Sequence, residues 1–460
     1  MLKKLILLIA IAVVLGFFTF SLGLNFSQAM SVAIFSASIL GTLFFWDFRL
    51  SFAFIGTALL FLTRTIDLRH FVEYCSLEVI LFLVGMMVLV GLLKENGFFT
   101  LVTRRLLERK HLSARKFVII LCAVSWALSA CIDEVTSIIF MVAAVLEICD
   151  HLKINPIPYL IISVLATNIG SAATVLGNPI GILIATKSGL TFEDFIAKAL
   201  PLSALSLLAT IAICLFWYRK AFKEMDANLK HFKGQNIAAV HEPLVITKDL
   251  KISIGIFVAT LIIIALHHRL ELLWGLDHNT ILFIAPLLAS GFIFIWKRQN
   301  ARKHIERDVE WWTLLFFLFL FGQAGALRYT GATNVLAVYL NQVTHNSFQV
   351  LTGCILWISS IGSSILDNVV LVATVIPVIQ DFQGLGVTLQ ALWWALLFGG
   401  CFGGNITLVG STANIVALGI LEKERKLKVT FLEWFGIGLT VGIITTLIVW
   451  AALICLPYYH

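Results

Sequence analysis

Acidic residues stand in the middle of two apolar stretches of this sequence. Residues 117–149 carry CIDEVTS (131–137), with Asp133, Glu134, Thr136 and Ser137, and residues 348–380 carry ILDNV (365–369), with Asp367 and Asn368. An unpaired charge inside a bilayer costs at least about 2.5–3.5 kcal/mol, so such carboxylates are seldom kept without a use. Their chemistry is to take up and release protons or small cations, and Asp133, Glu134 and Asp367 are the candidates. Two further apolar stretches are broken by small and polar residues. Residues 157–186 contain TNIGSAATVLGNP (167–179), which offers Asn168, Ser171, Thr174, Gly177 and Asn178. Residues 390–421 contain GGCFGGNITLVGSTAN (399–414), which offers Asn405, Thr407, Gly410, Ser411, Thr412 and Asn414. Glycines and Pro179 unwind a helix in mid-span. Unwound backbone is tolerated at that depth only where it lines a cavity or is packed in protein. The freed amides and carbonyls can replace an ion's hydration shell, half-helix N-termini favouring an anion and carbonyls a sodium ion. Taken alone, GGCFGG fits close helix packing better than binding.

The elements that hold these residues are membrane spans. The chain has 460 residues, 60% hydrophobic and 13% charged, with a mean hydropathy of +0.97. That leaves too little polar surface to cover a soluble fold, so lipid is the solvent. Apolar runs long enough to cross lie at about 5–22, 29–45, 50–63, 77–93, 157–186, 199–218, 250–266, 280–296, 311–327, 390–421 and 435–455. If each crosses once from a cytoplasmic N-terminus, 27 of the 33 Lys and Arg fall on the inside, as the positive-inside rule requires. The net charge of +7 follows from that clustering, and nucleic acid is not a partner. Around CIDEVTS the apolar arms hold 14 and about 11 residues. They span only about 15–21 Å against roughly 30 Å of hydrocarbon, which predicts a re-entrant hairpin. Trp311, Trp312, Trp393, Trp394, Tyr458 and Tyr459 fall at span ends and read as an interfacial belt. The eight cysteines form no C-x-x-C pair, so neither disulfides nor a structural metal site is indicated. Lys3 and Lys4 before an apolar run resemble a signal peptide, but no small-residue cleavage site follows; an uncleaved first helix is expected.

Residues 219–249 are the most polar segment and read as a cytoplasmic linker, on either side of which the sequence repeats. Glu78 pairs with Glu310, Lys94 with Arg328, Gly97 with Gly331, Asp133 with Asp367, Asn168 with Asn405 and Gly177 with Gly410, at offsets of 232 to 237. An ordered series of this kind marks an internal repeat. With the first copy entering from outside at Glu78 and the second from inside at Glu310, the copies are inverted, an arrangement found in many secondary transporters. The expected fold is all-α and polytopic, with about 11 transmembrane helices and two re-entrant hairpins. Its parts are N-terminal helices (1–74), repeat one (75–218), the linker with two connecting helices (219–309) and repeat two (310–457).

At these motifs the chain resembles the ion transporter superfamily, in particular the branch of arsenite permeases, NhaD-type sodium/proton antiporters and the P protein. Citrate and dicarboxylate transporters are more distant. The resemblance covers about residues 75–455. It rests on GGNITLVGSTANIVALGI, close to that branch's GGNGTLIGASANVV, on LDNV at the second tip and on ATNIGSAATVLGNP. It implies elevator-type alternating access, a homodimer, and a site between hairpin tips and helix breaks. The matching positions are Asp133, Thr136, Asn168, Gly177, Pro179, Asp367, Asn368, Asn405, Gly410 and Asn414. Two departures stand out: the usual LDNVT tip is here IDEVT, so Glu134 replaces an amide, and the usual GDPPN break is here GNPIG. The expectation is a proton- or sodium-coupled carrier of a small inorganic ion in a bacterial cytoplasmic membrane, either a cation/proton antiporter or an arsenite or oxyanion exporter. It would need no cofactor beyond the coupling ion and no metal beyond transient sodium. The competing readings are a sodium-coupled dicarboxylate or citrate carrier and a non-transporting membrane assembly protein. An enzyme is not expected, since H-E-x-x-H, G-x-S-x-G and Walker A motifs are all missing.

Overall fold

The computed structural model describes residues 2–21, 23–107, 113–231 and 246–459. Four helices come first: α1 (Leu2–Ser21), α2 (Phe26–Phe44), α3 (Arg49–Leu62) and α4 (Leu68–Tyr74). Next are α5 (Leu77–Glu95), α6 (Phe98–Leu107), the pair α7 (Ala114–Cys131) and α8 (Glu134–Leu152), and the pair α9 (Ile157–Gly170) and α10 (Pro179–Ser188). A short α11 (Phe192–Asp194) runs through a π-helical turn into α12 (Leu200–Trp217). The connecting region holds α13 (Arg219–His231), α14 (Lys248–Ala265), α15 (His267–Trp274), α16 (Thr280–Trp296) and α17 (Ala301–Lys303). The last group is α18 (Trp311–Tyr329), α19 (Ala332–Val343), α20 (Phe348–Ile365), α21 (Asn368–Phe382), α22 (Gln390–Gly403), α23 (Thr412–Arg425) and α24 (Phe431–Cys455). Among the described residues there is no strand. Ten helices among the described residues are long and apolar enough to cross a membrane, or eleven if the bent pair α14–α15 is one span.

All eleven predicted apolar runs fall in helices, and the runs at 157–186 and 390–421 are broken as expected. The breaks are Ser171–Asn178 and Gly404–Ser411, so Asn168 lies in the last turn of α9 rather than in the unwound part. Two expectations, the hairpin arms and the aromatic belt, need correction. The arms of the first hairpin run to 18 and 19 residues, not 14 and 11. At about 1.5 Å per residue each reaches roughly 27 Å, because Arg115, Lys116, Glu147 and Asp150 are helical and only the apolar part was counted. The second hairpin lengthens likewise, from 348–380 to Phe348–Phe382. The polar linker 219–249 begins with 13 helical residues; its part 232–245 lies outside the described residues. Finally, Trp393, Trp394 and Tyr459 are buried in the protein, while Trp311, Trp312 and Tyr458 are exposed as an interfacial belt requires.

The central helices α9 and α22 are buried all round, which their uniformly apolar sequences demand. Each lies against a hairpin arm, α9 on α7 and α22 on α20. Glycine makes the approach close enough: a Cβ on Gly170 would lie within 3 Å of backbone atoms of Trp126, and one on Gly403 within 3 Å of those of Ser360. Both contacts are with backbone, which cannot yield cheaply. Gly403→Val should therefore lower stability by about 1–3 kcal/mol or more. A fluorescence-detected melt of the detergent-purified protein would check this, and a midpoint matching the wild type would contradict it.

The frame around these helices is made across the chain. Helix α3 packs on α18 and α16 packs on α5. Gln323 of α18, fully buried, donates to Ala53 O (2.7 Å) and Thr57 Oγ1 (3.1 Å) of α3. In the equivalent place Ser290 of α16 donates to Gly85 O of α5 at 3.0 Å. Ser76, before α5, and Arg328, near the end of α18, border one cavity, while Lys94, near the end of α5, and Glu310, before α18, border another. The two helices thus run in opposite directions.

Candidate functional site

Four polar residues begin the inward-starting helices, and each does so by capping. Asp133 accepts from the amides of Val135 (2.8 Å) and Thr136 (3.0 Å) and starts α8. Asp367 accepts from the amide of Val369 (3.0 Å) and starts α21. Asn178 accepts from Gly181 N (2.9 Å) at α10, and Ser411 from Ala413 N (3.1 Å) at α23. A helix N-terminus leaves amides unpaired and carries partial positive charge. Carboxylates at two of these four ends therefore do structural work as caps.

Glu134 differs from its neighbour. It is 1% exposed, and its Oε1 accepts from Asn368 Nδ2 at 3.1 Å, joining the two hairpin tips. The Ser411 hydroxyl reaches both Glu134 Oε1 (3.5 Å) and Asn168 Oδ1 (3.2 Å). Asn168 Nδ2 donates to Asn405 Oδ1 and Asn414 Oδ1, both at 2.9 Å. Asn414 in turn donates to the freed carbonyls of Gly404 (2.7 Å) and Thr407 (2.8 Å). One buried network thus links both tips, the last turn of α9 and the second break. Two of its polar atoms, Glu134 Oε2 and Asn405 Nδ2, have no hydrogen-bond partner. Buried unpaired groups of this kind are costly, and sites of chemistry are where they persist. Positions paired by the sequence repeat also meet here, Glu134 with Asn368 and Asn168 with Asn405.

A cavity of about 140 Å³ borders this network, lined by Asp133, Glu134, Thr136 and Thr412, with Lys94, Arg307 and Glu310 where it meets the helix ends. Thr412 donates to Asp367 Oδ2 at 2.5 Å. At the opposite ends of α5 and α18 a basin of about 350 Å³ is lined by Lys187, Arg328 and Gln380. The adjoining void, which shares those three residues, is only about 30 Å³. Two ion pairs lie there: Lys187 with Glu78 (3.1 Å) and Arg328 with Asp381 (3.3 Å). Arg328 also donates to Gln380 at 2.6 Å.

Of the residues singled out in the sequence, Glu134, Asn168, Asn368, Asn405, Ser411 and Asn414 form the network, and Asp133, Thr136, Asp367 and Thr412 stand beside it. Ser171 and Asn178 are tied together at 3.0 Å, and Asn178 also donates to Cys401 Sγ at 3.1 Å. The remaining residues have other tasks. Thr174 bonds Ala130 O and Thr407 bonds Ser364 O, so these threonines fasten each break to a hairpin backbone. Ser137 turns to Ser125 O at 3.5 Å, away from the network. Gly177 and Gly410 admit close backbone, Gly410 lying against Gly404 O and Ser363 O. Sequence patterns did not find Gln323, Trp434 or Arg49. Trp434 is fully buried and donates to Asn405 O at 2.9 Å, and nothing in its apolar surroundings announces that. Arg49 gives no signal either: it lies between two apolar runs, where loop cations are expected, and Asp47 in the same loop is exposed.

Comparison with known proteins agrees with this architecture. The citrate transporter family (CitMHS) matches residues 42–399. An uncharacterized transporter of Mycobacterium tuberculosis is 33% identical over 349 residues, covering 75% of this chain and 78% of its own length. The human P protein is 27% identical, covering 82% of this chain but 53% of its own length. Among solved structures, the YdaH transporter of Alcanivorax borkumensis aligns with a TM-score of 0.56 at 15% identity, covering 84% of this chain and 85% of that one. The chain is a multi-pass membrane transporter and belongs to the citrate transporter family.

Proposed function

We propose that the protein is a secondary carrier that exchanges a small cation, sodium or lithium, for protons. The observation that carries this is the Glu134 carboxylate, enclosed where both tips meet the end of α9 and the second break, with one oxygen unpartnered. A group so placed binds a proton or a cation but not both, which is the requirement for exchange. Asp133 adds negative field beside Glu134 at the first tip, and a site so charged repels citrate and other anions. Anion transport is the second reading, favoured by the convergence of four helix N-termini, two of which are already capped by carboxylates.

Alternating access of the elevator type suits the arrangement. Repeat-related residues meet in pairs, and α5 and α18 are antiparallel, as an inverted repeat requires. One end of the site opens to a cavity while the other is shut by ion pairs. The distribution of Lys and Arg supports a cytoplasmic N-terminus, with the open end facing the cytoplasm. The mycobacterial relatives favour a bacterial cytoplasmic membrane, and a homodimer is the expected assembly.

The test is reconstitution in liposomes holding a pH-sensitive dye, challenged in turn with sodium, lithium, arsenite and citrate. Sodium or lithium should move protons, and both Asp133→Asn and Asp367→Asn should abolish the response in protein that still inserts. A response to citrate alone would remove the cation reading, and full sodium response in both variants would remove the assignment of the two aspartates.

A further inference from the structure

Arg49 is 9% exposed, although it opens a membrane helix. Its Nη2 donates to Thr313 Oγ1 of α18 at 2.9 Å. Its guanidinium lies 4.4 Å from the Trp46 ring centre and 5.5 Å from that of Phe316, and its Nε has no hydrogen-bond partner. Two neighbours place it beside the second tip. Trp46 borders a cavity of about 210 Å³ together with Asp367. Thr313 borders the first cavity together with Thr412, whose hydroxyl donates to Asp367. Thr313 also donates to Glu310 Oε2 at 3.3 Å, which makes Glu310 the other acid within reach of this contact.

The first tip has no equivalent. The offset of 232–234 that relates α5 to α18 carries position 49 to Ile281, Leu282 and Phe283, at the start of α16, which packs on α5 as α3 packs on α18. All three are apolar. The frame thus sets a buried cation against one tip only. The tips differ in the complementary sense, since the first has two acids, Asp133 and Glu134, and the second has Asp367 and an amide.

We propose that Arg49 is the fixed counter-ion of Asp367 and a specificity-determining residue. It cancels the charge of the second tip and confines the transported cation to Asp133 and Glu134 at the first. A buried charge left without its partner is strongly unfavourable, whereas removal of both charges is tolerated. This inference rests on the cation-exchange reading for its functional half and on geometry alone for the pairing.

The test is a mutant cycle on the full chain, read both as a thermal midpoint in detergent and as sodium-driven proton flux in liposomes. Arg49→Gln should lower the midpoint and cut flux at subsaturating sodium by about tenfold, the scale of coupling within one network. Arg49→Lys, which keeps the charge, should stay near wild type. Adding Asp367→Asn to Arg49→Gln should restore the midpoint, whereas adding Glu310→Gln should not. Failure of Asp367→Asn to restore the midpoint, or equal restoration by Glu310→Gln, overturns the pairing. If the wild type shows no sodium-driven flux, the cation reading falls, while the midpoints still decide whether the two residues are a pair.

Discussion

Glu134→Gln should abolish cation-driven proton flux while leaving the protein folded. Glutamine keeps the length of the side chain and an oxygen that can accept from Asn368, so the contact between hairpin tips survives. What disappears is a titratable charge at the centre of the network. The expected loss is about a hundredfold or more, the scale set by the roughly 2.5–3.5 kcal/mol that an intramembrane charge represents. Glu134→Asp should fail less completely, because it keeps the charge but withdraws it by one methylene. The measurement is initial flux in proteoliposomes at matched protein incorporation. Wild-type flux in Glu134→Gln would show that exchange takes place elsewhere, and the departure from LDNVT to IDEVT would then carry no functional weight.

Asn414→Leu should produce the largest loss of stability among the network residues. The Asn414 amide donates to the carbonyls of Gly404 and Thr407, and its oxygen accepts from Asn168. Leucine leaves the buried Gly404 carbonyl and one Asn168 N–H unmet, and the Thr407 carbonyl keeps only its long bond from Gly410 N, 3.4 Å. At about 1–3 kcal/mol for each unmet group the total is roughly 2–5 kcal/mol after partial relaxation, a large share of what holds an ordinary domain together. Asn405→Leu provides the contrast. The Asn405 side chain accepts one bond, from Asn168, and its own amide nitrogen already lacks a partner. Its substitution should cost distinctly less, although the sequence marks the two asparagines alike. Equal melting midpoints for the two variants would contradict the bonding described here.

That contrast shows where the sequence stops being informative. The apolar runs, their interruptions and the acidic tips were legible because each violates the uniform apolarity of a membrane span. The repeat was legible because the same violations recur in the same order. The division of labour among the polar residues was not. Ser137, Thr174 and Thr407 have the same chemistry as Ser411, but they bond backbone carbonyls of the hairpins instead of joining the network. Side-chain direction on a helix and the course of an unwound segment decide that, and neither is written in a motif. Helix lengths escaped for another reason. Counting only apolar residues truncates a helix whose ends are charged, as α7 and α8 are. Arg49 was counted among the loop cations because it lies between two apolar runs, and only packing across the chain places it against α18 and the second tip.

The ion pairs Lys187–Glu78 and Arg328–Asp381 bridge helices of the surrounding frame, α5 and α18, to α10 and to the end of α21. Such a clasp is made of the one kind of contact that dissolved salt loosens, over a Debye length of about 8–10 Å at physiological strength. Its counterparts at the other mouth, Lys94 and Glu310, border open space. On the alternating-access reading proposed above, salt raised on the clasp's own side should therefore loosen it, whereas salt raised at the other mouth should change little.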